Sequence, residues 1–204
     1  MWDQRYAASE QVWSSTPNVW VEELTSGLEP GRVLDLAAGE GRNALWLAER
    51  GWDATAVDFS QVALDRAQTW AVDRLGEGAS RFHTEQADLL TYTPVADAFD
   101  LVIVVYLHLP ADQRRIVLHA AATAVAPGGH LIVIAHDTEN LERGVGGPQD
   151  PTILYTAQDV ADDLLDADLV FTRVERAVRA VDTETGPRQA LDAVVMAERE
   201  GRQR

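Results

Sequence analysis

The residues with chemical potential follow short apolar runs that read as strands. Asp35, Asp58 and Asp88 close three such runs, and His108 and His136 follow two more. Because the carboxyl ends of parallel strands meet at one edge of an α/β sheet, where ligands bind, we expect these side chains to line one crevice. Carboxylates there can accept hydrogen bonds or hold a cation, and histidine can accept a proton. The pattern therefore predicts a binding crevice with two candidate bases.

The segment 32–48 predicts the centre of that crevice. Its apolar residues end at Asp35, two glycines follow at positions 39 and 41, and apolar residues at helical spacing come next. Gly39 and Gly41 would let the backbone turn sharply and approach a ligand closely. The ligand would then meet the N-terminus of a helix. We interpret the segment as a strand, a turn and a helix that cradle a cofactor.

Two cofactor types fit this cradle. Residues 39–44 match the dinucleotide pattern G-x-G-x-x-G/A, which supports a nucleotide-dependent oxidoreductase. Asp35 argues against that, because its charge would face the two phosphates of a dinucleotide. S-adenosylmethionine (SAM) has no phosphate and carries a cationic amino group and a cationic sulfonium. The sequence thus favours SAM, with the oxidoreductase and a non-catalytic SAM-binding domain as alternatives.

The same turn resembles motif I of the class I SAM-dependent methyltransferases. Asp35, Ala37, Gly39 and Gly41 stand at its four diagnostic positions, although the family more often has Gly at position 37. The resemblance covers residues 32–197, and the turn, the short chain and residues 2–6 resemble the tellurite-resistance and thiopurine methyltransferase-like branch. It implies a Rossmann-like, doubly wound α/β fold whose mostly parallel, seven-stranded sheet ends in a C-terminal antiparallel hairpin.

Cofactor contacts follow from the spacing and from this resemblance. Asp58 lies 58 − 35 = 23 residues after Asp35, near the offset of roughly 20 residues at which an acid binds ribose hydroxyls. In the family resembled, the acid at Asp88 accepts a hydrogen bond from the adenine amino group and Leu89 packs beside the ring. The predicted cofactor residues are Asp35, Ala37, Gly39, Gly41, Asn43, Asp58, Phe59, Asp88, Leu89 and Val105.

Methyl transfer from a sulfonium needs mainly an in-line arrangement of the reacting atoms. A base helps when the acceptor arrives protonated, and His108 and His136 are the candidates for a base or a substrate ligand. The predicted substrate contacts are Tyr6, Trp13, Tyr106 and Asp137. Two histidines beside Asp137 could also hold a divalent cation, but nothing in the spacing demands one, and no metal is predicted.

The first 26 residues predict a separate aromatic segment. Trp2, Tyr6, Trp13 and Trp20 alternate with polar residues, and Pro17 is typical of a helix start. The segment could cover a sheet edge or close over the cofactor as a flap. Residues 27–198 would form the SAM-binding domain, and residues 199–204 a tail.

Composition narrows the partners. The chain has 204 residues and a formal net charge of −16, which disfavours nucleic acid as a substrate. The first six residues lack the basic start and apolar core typical of a signal peptide, and no apolar run reaches 18 residues, so a cytoplasmic protein without membrane contact is expected. The predicted acceptor is a small molecule or an inorganic oxyanion. The acceptor atom and the oligomeric state stay open at this stage.

Overall fold

A computed structural model describes residues 16–183 and 186–201. Seven strands form one sheet in the order β3-β2-β1-β4-β5-β7-β6. The strands are β1 Arg32–Leu36, β2 Asp53–Asp58, β3 Phe82–Gln86, β4 Phe99–Val105, β5 Val125–His136, β6 Val170–Thr183 and β7 Gly186–Glu198.

Helices cover both faces of this sheet. They are α1 Val19–Thr25, α2 Arg42–Glu49, α3 Gln61–Leu75, α4 Ala111–Ala124, the single turn α5 Asn140–Arg143 and α6 Ala157–Asp163. Short 3-10 helices lie at Gly76–Arg81 and Pro151–Ile153. Leu34 and Leu36 pack in one buried layer with residues of α4 and α6. Val33 packs in the other layer, with residues of α1, α2 and α3.

The sheet confirms the predicted doubly wound fold. Strands β1 to β5 pair in parallel, and β7 runs antiparallel to both β5 and β6. The β6–β7 hairpin therefore closes an otherwise parallel sheet. Because of this order, the carboxyl ends of β1, β4 and β5 lie side by side at one edge.

Local sequence signals explain several helix boundaries. The Ser60 hydroxyl accepts a hydrogen bond from the amide of Ala63 and begins α3. Thr156 and Asp159 form a capping box at the start of α6. These caps define the first residues of α3 and α6.

Two segments differ from the sequence expectation. The apolar run 131–134 predicts a short fifth strand that starts after the Pro-Gly-Gly step, but β5 begins at Val125 and includes that step. A Cβ at Gly129 would lie 3.0 Å from the carbonyl oxygens of Phe99 and Asp100, so glycine lets the strand come close to β4. Arg199, placed in the predicted tail, is held by hydrogen bonds to Asp97 and to the Val125 carbonyl.

Across residues 16–183 and 186–201, no helix has the length and apolar character needed to cross a membrane.

Candidate active site

The turn between β1 and α2 has left-handed backbone at three positions. The φ angles are 62° at Ala37, 55° at Gly39 and 73° at Gly41. Glycine adopts this conformation freely, but an L-residue such as Ala37 is disfavoured there by about 1–2 kcal/mol. The turn is fixed by hydrogen bonds from Ala38 N to the Val57 carbonyl and from Gly41 N to the Ala38 carbonyl. The strained conformation is therefore imposed by the surrounding structure.

The structure gives a different reason for glycine at position 41 from the one that we inferred from the sequence. A Cβ at this position would lie 3.1 Å from the Ala67 methyl group and 3.2 Å from the Phe82 ring. Gly41 therefore lets the turn pack against α3 and β3, whereas the sequence hypothesis reserved that space for the ligand.

Asp35 is buried at the end of β1 with both carboxylate oxygens lacking a hydrogen-bond partner among the described residues. Side chains alternate along a strand, so Asp35 shares the face of Val33 and lies under the start of α2. Burial raises the pKa of Asp35 to about 7, and the nearby Ala44 amide partly offsets this rise without completing a hydrogen bond. A buried polar group without a partner needs an explanation. A cationic ligand in the turn would supply one.

Asp58 braces the turn from the end of β2. Its Oδ2 accepts the amide of Gly39 at 2.8 Å, and its Oδ1 accepts the amide of Ser60 at 2.9 Å. The carboxylate is almost fully buried. Each oxygen of a carboxylate has a second acceptor site, so the brace is compatible with hydrogen bonds to ligand hydroxyls.

An apolar and acidic rim follows β2 and β3. The Phe59 ring is 47% exposed next to Asp58, and Leu89 is half-buried. Asp88 is exposed, and its Oδ1 accepts the amide of Leu90 at 3.0 Å. Val105 is nearly buried at the end of β4. The rim has the chemistry to hold a flat heterocycle by its face and its amino group.

Asn43 connects the cradle to α1. Its side-chain oxygen accepts the amide of Asn18 at 2.9 Å, and Asn18 caps α1 through a hydrogen bond from the amide of Trp20. The predicted cofactor residue thus fixes the start of α1.

His108 and His136 come together at the ends of β4 and β5. His136 Nδ1 lies 3.3 Å from His108 Nε2, and the amide of His136 donates to the same nitrogen at 3.3 Å. The His136 ring stacks on Tyr106 with a centroid distance of 4.5 Å. Tyr106 itself has a left-handed φ of 58°. The predicted pair therefore forms one stacked unit.

Burial dominates the electrostatics of this unit. It lowers the pKa of His108 to about 4, with the neighbouring His136 adding to the effect, and it also lowers the pKa of His136. Burial, together with the Asp192 charge, raises the pKa of Tyr106 to about 12. Both histidines are thus neutral, and Tyr106 keeps its proton, at pH 7.

Asp192 is a site residue that we missed. This fully buried carboxylate on β7 accepts hydrogen bonds from Trp20 Nε1 at 2.8 Å, Arg179 Nε at 2.8 Å and Tyr106 OH at 3.2 Å. It also lies opposite His136 in the antiparallel ladder. An acid within the apolar run 190–197 was the signal available in the sequence. The network fixes the Tyr106 ring, which stacks on His136, and links it through Asp192 to Trp20.

The remaining predicted substrate residues lie elsewhere. The buried Asp137 carboxylate accepts the amide of Glu139 and lies 3.8 Å from the Arg176 guanidinium, so it caps the start of the loop after β5. Tyr6 and Trp13, with most of the predicted flap, lie outside the described residues. Within the part of the chain that the structure describes, no group of three or more His, Asp or Glu side chains is arranged to hold a metal.

Comparison with known proteins gives a family match for the part of the chain that contains the turn and strands β1 to β4. Residues 33–129 match the model of a family described as "Methyltransferase domain". The chain is 29% identical over 127 residues to the 2-heptyl-1-hydroxyquinolin-4(1H)-one methyltransferase of Mycobacteroides abscessus, with 61% of this chain and 55% of that protein aligned. The chain spans about half the length of the curated relatives that it matches.

Solved structures share the fold. One, described as "Conversion of a Disulfide Bond into a Thioacetal Group during Echinomycin Biosynthesis", aligns with a TM-score of 0.74 at 23% identity, over 99% of this chain and 92% of that one. TehB from Haemophilus influenzae aligns with a TM-score of 0.69 at 17% identity, over 90% of this chain and 62% of that one. At these identities the likeness establishes the architecture of the sheet and its helices.

Proposed function

We propose that this chain, a member of the class I SAM-dependent methyltransferases, transfers the SAM methyl group to a small-molecule acceptor at the carboxyl ends of β1, β4 and β5. The narrower branch that we inferred, with an inorganic oxyanion as one acceptor class, is part of this proposal. The relative from Mycobacteroides abscessus is named for a small heterocyclic substrate, which supports the small-molecule class.

The observation that carries the proposal is the Asp35 carboxylate. It is buried beside the glycine turn, and both of its oxygens lack partners among the described residues. Burying an isolated carboxylate is costly, so a positive group from a ligand would stabilise its charged form. SAM has an amino group and a sulfonium, and it supplies an activated methyl group to the acceptor when it is bound. The pyrophosphate of a dinucleotide would instead add negative charge beside Asp35.

Roles for this chain's other residues follow from their positions. Asp58 and Gly39 would shape the turn around the ribose, and Phe59, Asp88 and Leu89 would hold the adenine. Trp20, Tyr106 and the histidine pair would form the acceptor side. Holding acceptor and methyl group in line can lower the barrier by about 7–11 kcal/mol, so positioning by these side chains would supply most of the catalysis.

Mass-spectrometric detection of S-adenosylhomocysteine tests the proposal. The full chain is incubated with SAM and one acceptor at a time from a set of thiols, phenols, selenite and tellurite. Formation of S-adenosylhomocysteine together with a methylated acceptor is the expected result. SAM binding without turnover of any acceptor would support the non-catalytic alternative, and binding of NAD in place of SAM would support the oxidoreductase.

A further inference from the structure

The sheet ends at β6, a long strand with a neighbour on one side only. Among the described residues, β6 pairs with β7 and with no other strand. It has 14 residues, with no proline or lysine, and its one irregularity lies between Phe171 and Arg173. Short length, proline, lysine and bulges are the usual means by which a protein keeps such an edge from pairing. From Arg173 onward, this edge has little of that protection.

Hydrogen bonds around Leu191 show which backbone groups of β6 point outward. The Leu191 amide donates to Asn140 Oδ1, and the Leu191 carbonyl accepts from the Asp137 amide. Both groups therefore face away from β6. Leu191 lies opposite Val178 in the ladder, so the two form a non-hydrogen-bonded pair. The amide and the carbonyl of Val178 consequently point away from β7.

Every second residue of β6 shares this orientation, because the hydrogen-bonding side alternates along a strand. The outward-pointing residues are Val174, Arg176, Val178, Ala180 and Asp182. Their amides and carbonyls make no hydrogen bond to the rest of the described backbone. The Val178 side chain is also 53% exposed. The edge thus presents a row of backbone donors and acceptors that could pair with another strand.

We propose that β6 is the interface for a second copy of this chain, paired antiparallel to the β6 of that copy, with Ala177 of both copies on the two-fold axis. Val178 of one copy would lie opposite Arg176 of the other, and Val174 opposite Ala180. Each pair joins two outward-pointing residues, so it exchanges two backbone hydrogen bonds. Symmetry doubles the pairs, and the interface gains about eight such bonds.

The charges of β6 favour this register. Glu175 of one copy would lie opposite Arg179 of the other. Within each chain Glu175 contacts Arg173, and Arg179 contacts Asp192. The pairing would join these groups into a row of alternating sign. An axis at Arg176 would instead place that residue opposite its own copy and Arg173 opposite Arg179, and like charges directly opposite each other destabilise a strand pair.

The neighbouring axis at Val178 is less favourable. It avoids like charges, but it leaves Glu175 opposite Val181 and forms no ion pair across the interface. With the axis at Ala177, the second copy would also reach the acceptor side of the site. Arg179, which would meet Glu175 of that copy, holds Asp192, and Asp192 accepts the hydroxyl of Tyr106.

Light scattering after size-exclusion chromatography tests the interface. The full chain should elute with twice the mass of a single chain. Val178→Pro removes an outward-pointing amide and leaves the hydrogen bonds to β7 in place, so it should be monomeric. Val178→Thr is the matched control, because it keeps the amide and a β-branched side chain, and it should remain a dimer. A monomeric unaltered chain, or a dimer of folded Val178→Pro, would overturn the proposal.

Disulfide cross-linking tests the register even if Val178→Pro does not fold. The chain has no cysteine, so Ala177→Cys supplies the only thiol. On the axis, the two Cα atoms would lie about 4.5 Å apart, within the range of about 4.4–6.8 Å for a disulfide. Oxidation should therefore give a covalent dimer.

Val181→Cys is the control for this cross-link. Val181 would lie opposite Arg173 of the second copy, about 27 Å from its own counterpart, so this variant should stay uncross-linked. A covalent dimer of Val181→Cys, or none of Ala177→Cys, would overturn the proposal. Neither experiment uses SAM, so a failure here leaves the proposed function intact.

Discussion

The indole nitrogen of Trp20 donates a 2.8 Å hydrogen bond to the Asp192 carboxylate, across 172 residues of sequence. This contact joins α1, the first described helix, to β7, which lies between β5 and β6 in the sheet. Since Asp192 also accepts from Tyr106, the position of α1 is coupled to the ring that stacks on His136.

We expect Trp20→Phe to reduce the free energy of unfolding by about 1–3 kcal/mol. The change keeps most of the aromatic area but leaves a buried carboxylate with one donor fewer. Urea denaturation measures the loss. Trp70→Phe is the matched control. The Trp70 ring packs against the same core layer as Trp20, but its indole makes no hydrogen bond to Asp192. Equal stability of the two variants would mean that the Trp20 contact is energetically unimportant.

Ala37→Gly should stabilise the fold by about 0.5–1 kcal/mol. Relief of the left-handed strain gains about 1–2 kcal/mol, and the greater freedom of glycine in the unfolded chain costs about 0.4–1 kcal/mol. Ala38→Gly is the control, because Ala38 does not have a positive φ and so has no such strain to lose. Its melting temperature should fall while that of Ala37→Gly rises; a fall in both would contradict the strain at position 37.

Asp35 should make stability and SAM affinity depend on pH in opposite ways. The folded state keeps the Asp35 proton up to a pKa of about 7, whereas an unfolded aspartate loses it near 3.9. Between these values the folded state binds one more proton, so this contribution to stability is present below pH 4 and is lost as the pH rises to 7. A cationic ligand needs the charged carboxylate, so SAM affinity should rise with pH over the same range.

The pH dependences of stability and of SAM affinity are each measured as the difference between the unaltered chain and Asp35→Asn. This comparison is needed because the lowered pKa values of His108 and His136 make stability rise with pH, opposite to the effect of Asp35. Thermal unfolding and calorimetry between pH 5 and 8, values chosen to bracket the Asp35 pKa, should give different slopes for the two proteins. Asp168→Asn, an exposed acid, should match the unaltered chain. Parallel slopes for all three would remove Asp35 from the cofactor site.

Gly147→Ala should lower turnover with little change in SAM affinity. Its Cβ would meet the His136 ring at 2.7 Å, and either the ring or the loop must move. Gly146→Ala is a close control: its φ of 75° resembles the 76° of Gly147, but its Cβ would have nothing within 4 Å. Both variants carry similar backbone strain, so a difference in kcat reports the contact with His136. Equal kcat values would show that the loop does not position His136.

The cradle could be predicted from sequence because its signal is local. Asp35, the turn glycines and the acid of Asp58 follow from spacing along one strand, turn and helix. The fold could be predicted because segments with the pattern of strands and of helices alternate along the chain. The left-handed φ of Ala37 could not be predicted, because alanine rarely adopts that conformation.

The acceptor side could be predicted only in part. His108 and His136 were found as strand-end residues, but their hydrogen bond depends on the relative height of β4 and β5. The partners of Asp192 come from α1, from the residue that follows β4 and from β6, and the β6–β7 register brings Arg179 within reach. Such contacts are set by long-range strand pairing, and no local pattern specifies them.

Isothermal titration calorimetry with SAM tests the central claim most directly. The unaltered chain should bind SAM and not NAD, and Asp58→Asn, which keeps one acceptor oxygen for the turn, should weaken SAM binding by about 1–3 kcal/mol through lost hydrogen bonds. Circular dichroism of the variant should match the unaltered chain. Absence of SAM binding by the folded, unaltered chain, or binding of NAD in its place, would contradict the account.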